Sequence, residues 1–423
     1  MSYSKPADAA FETEVYYKLP SKNAFVDVLE RIDSYKKEMV SAMVKMIAIP
    51  AISPVSGGEG ESKRADFLED LLKKMGLEVK RFDYKDEFGK IRSNLIVEYG
   101  KAAQRIWILS HIDTVSPGDL SLWRHDPFDA YVKDGKIYGR GTNDDGQGVI
   151  SSIFALKAVK ESGVDPKFTF GIALVADEEV GNEYGIKKLL KEGVFSKKDL
   201  AVVPDWGRPK GDEIEIAEKG ILWLKFRVVG KQVHASTPEQ GLNAYRVSVK
   251  LLDLLDNALH KRFGKADPLF EPPKSTFEMT KHEKNVESVN IIPGTETFFM
   301  DCRVLPNYKL DNVVALVKNI SKRVGRQTKA RIYVEVVSRD EALKPLPKNA
   351  KIIQILQRSI KQVKHKEAGL VGIGGGTVAK FLRRYGVESA VWSSQDDVAH
   401  QPNEYAVISN MVEDTKIFAS MFV

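Results

Sequence analysis

Short apolar runs alternate with amphipathic segments over most of the chain. Between the runs, residues Gly148–Val159 and Lys351–Val363 have the apolar spacing of helices. The runs themselves predict buried strands at Asn94–Tyr99, Ile106–Leu109, Phe168–Ala176, Leu200–Val203 and Ser389–Trp392. This alternation predicts an α/β domain whose central sheet is mainly parallel and flanked by helices.

A different order of elements is predicted between about Gly220 and Arg339. Strands are predicted at Leu222–Val229, Glu296–Leu305 and Arg331–Val337, and helices at Ala244–Leu259 and Leu310–Val324. This order is typical of a small α+β domain with an antiparallel sheet. Because the α/β pattern resumes after Leu343, we expect an insertion. Residues 1–219 and 340–423 then form the larger domain, and residues 220–339 form the inserted one.

Composition and charge limit the kind of protein this is. Apolar residues make up 43% of the 423 residues and charged residues 29%, and the formal net charge is +6. The 64 basic residues are dispersed among 58 acidic ones, so no nucleic-acid partner is expected. Cys302 is the single cysteine, which suits a reducing compartment. Asp8, Glu12 and Glu14 interrupt any signal-peptide core, and no run approaches the roughly 18 apolar residues of a membrane span. We therefore expect a cytoplasmic protein without a membrane partner.

Polar residues that can bind metal follow several of the predicted strands. Ligands of open α/β sheets bind beyond the carboxyl ends of the strands, so these residues should meet at one edge. Each alone is more often a solvated loop residue than a ligand, but five such groups at one edge are hard to attribute to chance. Carboxylates gathered there repel one another unless cations are bound. The groups are His111 with Asp113, Asp144, Glu178 with Glu179, Asp205, and His400.

Histidine and carboxylate ligands without cysteine are typical of zinc, and also of manganese or cobalt. A histidine ligand needs an acceptor for its second ring nitrogen, which Asp113 can supply to His111 from the same strand end. The neighbouring carboxylates Glu178 and Glu179 offer two roles, one as a ligand and one as a free general base. By itself this pair is better explained as a charged strand terminus.

Ten short motifs occur between about residue 40 and the C-terminus. They are Ser110–Val115, Trp123 with Asp126-Pro127-Phe128, Tyr138–Asp145, Asp177–Gly181, Pro204-Asp205, His234 with Ala235-Ser236 and Pro238, Asn290–Pro293, Asp301-Cys302-Arg303, Gly374–Thr377, and His400 with Glu404. By these motifs, which stand in the family's order, the chain resembles the dinuclear-zinc peptidases and deacylases. That family includes acetylornithine deacetylase, succinyl-diaminopimelate desuccinylase, glutamate carboxypeptidase, aminoacylase and carnosine dipeptidase. Together the motifs are specific, although each alone is not.

The resemblance implies two divalent metal ions per subunit, zinc first, with manganese or cobalt as alternatives. Asp144 would bridge the two ions, with His111 and Asp205 completing one site and Glu179 and His400 the other. The resemblance also implies a cis peptide bond after Asp144.

The resemblance assigns roles to other residues as well. Glu178 would be the general base and later the acid that protonates the leaving amine, and Asp113 would be a further catalytic residue. The inserted domain would be a lid and dimerisation domain on a catalytic, metal-binding domain. It would carry His234 into the active site of the partner subunit of a homodimer. The residues implied to face the substrate, a small molecule or peptide with a free carboxylate, are Asn290, Arg303, Gly376 and Thr377.

Two departures bear on the substrate. Asp205 stands where the deacetylase and desuccinylase branches usually carry Glu, whereas the dipeptidase branch more often has Asp. Gly146-Gln147 replaces the family's common Lys-Gly. The first departure favours a dipeptide or an N-acyl amino acid, cleaved at an amide bond near a free carboxylate.

Three alternatives stay open at this point. The first is an N-succinyl or N-acetyl amino-acid deacylase of the desuccinylase or deacetylase type. The second is an inactive metal-binding scaffold, against which the intact Glu178 speaks. The third is a nucleotide-binding protein, but Gly372 and Gly374–Gly376 do not fit the Gly-x-Gly-x-x-Gly pattern.

Overall fold

The computed structural model describes residues 22–423. Asp8, Glu12 and Glu14, and the start of the predicted 1–219 segment, lie outside the described residues. The described part forms ten α-helices: α1 Lys22–Ser34, α2 Lys36–Ile47, α3 Ser62–Lys74, α4 Gln147–Glu161, α5 Ile186–Lys191, α6 Ala244–Arg262, α7 Leu310–Thr328, α8 Lys351–Lys364, α9 Ala379–Tyr385 and α10 Ile408–Ser420. Its strands are β1 Val79–Lys85, β2 Ile91–Tyr99, β3 Arg105–His111, β4 Tyr131–Lys133, β5 Lys136–Tyr138, β6 Thr169–Val175, β7 Leu200–Val203, β8 Glu213–Glu218, β9 Gly220–Val229, β10 Val233–His234, β11 Thr276–His282, β12 Ile291–Ile292, β13 Thr295–Val304, β14 Arg331–Asp340, β15 Gly369–Ile373, β16 Glu388–Val391 and β17 Tyr405–Val407.

An eight-stranded sheet forms the centre of the larger part of the molecule. Its strand order is β1-β2-β6-β3-β7-β16-β8-β15. The four central strands β6, β3, β7 and β16 run parallel to one another, and β8 and β15 are parallel to each other. Antiparallel pairing occurs between β1 and β2, between β2 and β6, and between β16 and β8. The predicted α/β fold with a mainly parallel sheet is therefore confirmed.

Both faces of the sheet are covered at its centre, which is why β3, β6 and β7 are mostly apolar and buried. On β3, Ile106 and Ile108 face the core built with α1, α2, α3, α4, α8 and α10. Trp107 and Leu109 point to the opposite face, where α5 and α9 pack. Gly171 on the neighbouring β6 makes room for the Trp107 indole, because a Cβ there would lie 2.3 Å from the ring. Fully burying one such aliphatic side chain stabilises the fold by about 1.5–3 kcal/mol.

A separate antiparallel sheet is formed by strands of the central segment, in the order β11-β13-β9-β14. Alternate residues of β9, including Leu222, Leu224 and Phe226, pack with α6 and α7. Trp223, between them in sequence, faces outward and is 44% exposed. Helices thus cover one face of this sheet. The division of the chain at residues 220 and 340 stays a prediction.

The strands that approach the predicted site end at the same edge of the large sheet. Because β3, β6 and β7 are parallel, the segments after His111, Val175 and Val203 emerge together. A small sheet, β17-β5-β4, lies beside the loop that leads to Asp144. Within residues 22–423, no helix combines the length and the apolar composition needed to cross a bilayer.

Candidate active site

His111 and Asp144 form the centre of a polar cluster at this edge. His111 is the last residue of β3 and is 2% exposed. Its Nε2 lies 2.7 Å from Oδ1 of Asp144 and 3.7 Å from Oδ1 of Asp205. The imidazole therefore faces two carboxylates that come from different segments of the chain.

His400 lies on the other side of Asp144. Its Nε2 is 2.9 Å from Oδ2 of Asp144 and 3.2 Å from Oε2 of Glu179. The His400 side chain is 54% exposed, in contrast to His111. The two oxygens of Asp144 thus face two different imidazoles, which is the arrangement that a bridging carboxylate requires.

The peptide bond between Asp144 and Asp145 is cis, which confirms the expectation. Asp144 and Asp145 also leave helical geometry, although the residues around them are wound into a helical turn that continues into α4. Oδ2 of Asp145 accepts a hydrogen bond from the backbone N–H of His111 at 3.3 Å. The loop therefore contacts the end of β3 through both aspartates.

Asp113 connects the end of β3 to the Glu178-Glu179 pair. Its Oδ1 accepts a hydrogen bond from the backbone N–H of Glu178 at 3.0 Å, and its Oδ2 accepts one from Glu179 at 3.1 Å. Nδ1 of His111 lies 3.1 Å from the backbone carbonyl oxygen of Asp113 and 3.5 Å from its Oδ1. One fully buried residue thus orients the imidazole and both glutamates.

A buried charge network holds the turn just before the glutamates. Asp177 has a left-handed backbone, with φ of 65°, which turns the chain sharply at the strand end. Its Oδ1 accepts from Nη1 of Arg92 at 2.9 Å, and Arg92 also forms a forked ion pair with Glu61. Neither Glu61 nor Arg92 is predicted from the sequence. Because a charged residue in a loop or strand is usually solvated, nothing in the sequence pattern singled them out.

Burial and mutual repulsion shift the protonation of the cluster. Burial raises the pKa of Glu179 to about 7, and nearby Asp144 adds to the shift. Burial also raises the pKa of Glu178 well above its ordinary range, followed in size by the effect of Asp205. Hydrogen bonds to Asp144 and Glu179 raise the pKa of His400 to about 10. Without a bound cation, the carboxylates therefore take up protons at a higher pH than usual. A metal ion would compensate their negative charge and remove the repulsion between them.

The residues at this edge fit a divalent metal ion. Two groups of three residues can each offer three ligand atoms, and the atoms of one group lie within 4.8 Å of one another. His111 belongs to both groups. One group is His111, Asp144 and Glu179, and the other is His111, Glu178 and Asp205. Imidazole nitrogen and carboxylate oxygen without sulfur are ligands that suit zinc, manganese and cobalt.

Two predicted residues of the central segment, His234 and Asn290, make contacts only in their own neighbourhood. Nδ1 of the exposed His234 lies 2.7 Å from Oγ of Ser236. Oδ1 of Asn290 accepts a hydrogen bond from Ser288. Among the described residues, no hydrogen bond or ion pair links either of them to the cluster at His111.

Arg303 lies on β13, and its guanidinium donates hydrogen bonds to Asp301 and Gly374. Its Nε and Nη2 donate to the two carboxylate oxygens of Asp301, at 2.7 and 3.1 Å. Its Nη1 donates to the carbonyl oxygen of Gly374 at 3.1 Å. Arg303 thus links β13 to the glycine-rich loop that precedes Thr377. One N–H on each terminal nitrogen has no hydrogen-bond partner within residues 22–423.

Thr377 and Gly376 lie beside Glu218, at the end of β8. The backbone N–H and the hydroxyl of Thr377 both donate to Oε1 of Glu218, at 3.0 and 2.8 Å. A Cβ on Gly376 would approach Nζ of Lys380 to 3.0 Å, so the loop passes close to that side chain. Burial raises the pKa of Glu218 to about 7. Glu218, which holds this loop through Thr377, is not predicted from the sequence.

Comparison with known proteins shows similar sequences over most of the chain. A family model described as peptidase family M20/M25/M40 matches residues 107–423. An uncharacterized metallohydrolase of Methanocaldococcus jannaschii is 38% identical over 403 residues, which cover 90% of this chain and 98% of the relative. A succinyl-diaminopimelate desuccinylase of a Nitratiruptor species is 27% identical, over 87% of this chain and 94% of the relative.

The fold also matches a solved structure over nearly its full length. Human carnosine dipeptidase 1 superposes with a TM-score of 0.74 at 19% identity, covering 94% of this chain and 98% of the dipeptidase. This likeness concerns the fold.

Proposed function

Because the chain belongs to peptidase family M20/M25/M40 and is a metallohydrolase, we propose that it hydrolyses an amide bond near a free carboxylate. The proposed substrate is a dipeptide or an N-acyl amino acid. One observation carries this proposal: the potential ligand atoms around His111 lie close together at the edge where β3, β6 and β7 end. Glu178 belongs to the same cluster and can contact a reacting water.

Two divalent ions would occupy the cluster, with zinc favoured over manganese or cobalt. His111 and Asp205 would hold one ion, Glu179 and His400 the other, and Asp144 would bind both. The observed contacts support this assignment, because each oxygen of Asp144 already faces one of the two histidines. When bound, the ions supply a lowered pKa for a water molecule and a charge that polarises the substrate carbonyl.

Glu178 would accept the proton of the attacking water on its carboxylate and then pass it to the leaving amine. Its pKa, raised by burial, suits a group that must both take and give a proton. Asp113 keeps the backbone of Glu178 and Glu179 in place through its two hydrogen bonds. Asp113 thus acts by positioning these glutamates and the His111 ring.

Arg303 is the proposed partner of the substrate carboxylate, together with Asn290, Gly376 and Thr377. Asp301 already orients the guanidinium from one side. Nη1 and Nη2 of Arg303 each keep one N–H without a partner in the described part of the chain. A planar guanidinium can bind a carboxylate with two such parallel hydrogen bonds.

His234 would stabilise the developing oxyanion from the partner subunit of a homodimer. Its exposed ring and purely local contacts in one chain are compatible with a role across a subunit interface. The segment 220–339 would then act as lid and dimerisation domain. We also propose a cytoplasmic location, in line with the single buried Cys302.

A deacylase is the second candidate function. Relatives named succinyl-diaminopimelate desuccinylase align over most of the chain, so an N-succinyl or N-acetyl amino acid is an alternative substrate. Asp205 favours the dipeptide, because the family resemblance associates aspartate at this position with dipeptidases.

The experiment compares three substrate classes with the metal-free and the metal-loaded protein. Dipeptides, N-acetyl amino acids and N-succinyl amino acids are each offered with a free C-terminal carboxylate and as the matching C-terminal amide. We expect zinc-, manganese- or cobalt-dependent hydrolysis, with the carboxylate form cleaved faster in each pair. Hydrolysis that continues without metal, or no preference for the carboxylate form, would contradict the proposal.

A further inference from the structure

Glu404 is a fully buried carboxylate that the proposed reaction does not use. It lies just before β17, four residues after His400. Its Oε1 accepts hydrogen bonds from the backbone N–H groups of Asn143 at 2.9 Å and of Asp144 at 3.1 Å. The N–H of Gly141 lies 3.1 Å from both of its oxygens. Glu404 thus binds the backbone of the loop that carries Asp144.

Arg140 completes the arrangement from the same loop. Its Nη1 donates to Oε2 of Glu404 at 2.5 Å, and its Nη2 donates to the backbone carbonyl oxygen of His400 at 3.2 Å. The N–H of Gly139 donates to the carbonyl oxygen of Glu404 at 3.0 Å. The buried pair therefore contacts the main chain at both Asp144 and His400.

All hydrogen-bond partners of the Glu404 carboxylate in the described part of the chain are donors, so the site needs an acceptor without hydrogens of its own. An ionised carboxylate meets this requirement, whereas a glutamine amide would turn an NH₂ group toward at least one of these donors. The negative charge also compensates the buried Arg140, which would otherwise be left unpaired at a high cost.

We infer that Glu404 is a positioning residue that sets the separation of Asp144 and His400, and with it the affinity of the metal site between them. The inference rests on the proposed function, in which both residues are ligands. Glu404 acts on the main chain of Asp144 directly and on that of His400 through Arg140. Removing residues that orient metal ligands typically weakens metal binding by about 10–100-fold.

The test measures zinc affinity and stoichiometry in wild type, Glu404→Gln and a control variant. Asp199→Asn is the matched control, because Asp199 is also a buried carboxylate with several donors, namely Trp107 Nε1, the N–H of Ser196 and Arg105. It lies just before β7, at the opposite edge of the sheet. Metal-stripped proteins are titrated with zinc against a competing chelator. We expect Glu404→Gln to weaken one of two sites by about 10–100-fold and Asp199→Asn to leave both unchanged.

Glu404→Asp provides a second variant if Glu404→Gln does not fold. It keeps the charge but is one methylene shorter, so we expect a smaller loss at the same site. Zinc affinities equal to wild type in every folded Glu404 variant, or an equal loss in Asp199→Asn, would overturn the inference. If wild type itself binds no zinc, the proposed function fails instead.

Discussion

At the scale of single residues, the cluster contains more negative charge than a protein interior tolerates without a cation. Burial raises the pKa of Glu179 to about 7, well above the ordinary value of a glutamate. The folded, metal-free protein therefore keeps a proton at Glu179 that the unfolded chain has already released between pH 4.5 and 7. Because the folded state binds this proton more tightly, protonation of Glu179 adds to the free energy of unfolding. The added stability is complete below the ordinary pKa of glutamate and is lost as the pH rises through about 7.

Zinc should therefore stabilise the protein more at higher pH. Its binding requires an ionised Glu179 and a neutral His400, whose pKa is raised to about 10 by Asp144 and Glu179. Protons compete with the metal at both residues, so the competition weakens as the pH rises. We expect the zinc-induced increase in Tm to be larger at pH 7.5 than at pH 5.5, by differential scanning calorimetry on stripped and loaded protein. An increase of equal size at both pH values would contradict this reasoning.

At the scale of elements, the important unit is the turn that follows β6. Asp177 turns the chain with a left-handed backbone, and Arg92 on β2 holds its side chain. Asp113, from the end of β3, then accepts the N–H groups of Glu178 and Glu179. Residues from β2 and from the end of β3, the two neighbours of β6, thus position the two glutamates.

Asp113→Asn should lower kcat while the fold persists. The asparagine amide can accept from only one of the two backbone N–H groups and turns its NH₂ toward the other. We expect kcat to fall by about 10–100-fold, the range found when groups that orient ligands are removed. Asp199→Asn again serves as the control for loss of a buried carboxylate. Equal kcat in the two variants would show that Asp113 has only a structural role.

The strands of the central sheet could be predicted where they are apolar. β3, β6, β7 and β16 are continuous apolar runs, because they are covered on both faces. β8 (Glu213–Glu218) is not predicted, since glutamate and isoleucine alternate from Glu213 to Ile216 and resemble a half-exposed strand. In the fold Glu215 is fully buried and forms a forked ion pair with Arg383. A partner 168 residues away in sequence leaves no local pattern.

Contacts between residues far apart in the sequence also limit what can be predicted about the site. Residues at strand ends could be predicted to meet, because the rule for parallel sheets needs no knowledge of side-chain contacts. From the sequence, Glu404 could be identified only as part of a motif, and Glu61 and Arg92 could not be identified at all. Their roles depend on buried hydrogen bonds between distant segments.

At the scale of the whole molecule, the proposed reaction needs two copies of the chain. His234 makes only local contacts within one chain, whereas its proposed role places it in the active site of the partner. A C₂ dimer would apply this contact twice, so each site would be completed by the other subunit.

Mixed dimers test this arrangement. We expect His234→Ala to lower kcat by about 10²–10³-fold without loss of metal, as for other oxyanion donors. Mixing it with Glu178→Ala should restore part of the activity, because such dimers contain one site with both native residues. If the subunits exchange and no activity returns, or if the active enzyme is a monomer, the assignment of His234 to the partner's site is wrong.

The central claim is that Glu178 moves the proton while its neighbour Glu179 holds metal. Glu178→Gln and Glu179→Gln form a matched pair, because each replaces one carboxylate of the same turn by an amide of the same shape. Metal content and kcat are measured on the same samples, by elemental analysis and by hydrolysis of the best substrate. We predict that Glu178→Gln keeps the full metal content and loses about 10²–10⁴-fold in kcat, whereas Glu179→Gln loses metal. Loss of metal from Glu178→Gln, or full activity in that variant, would contradict the account.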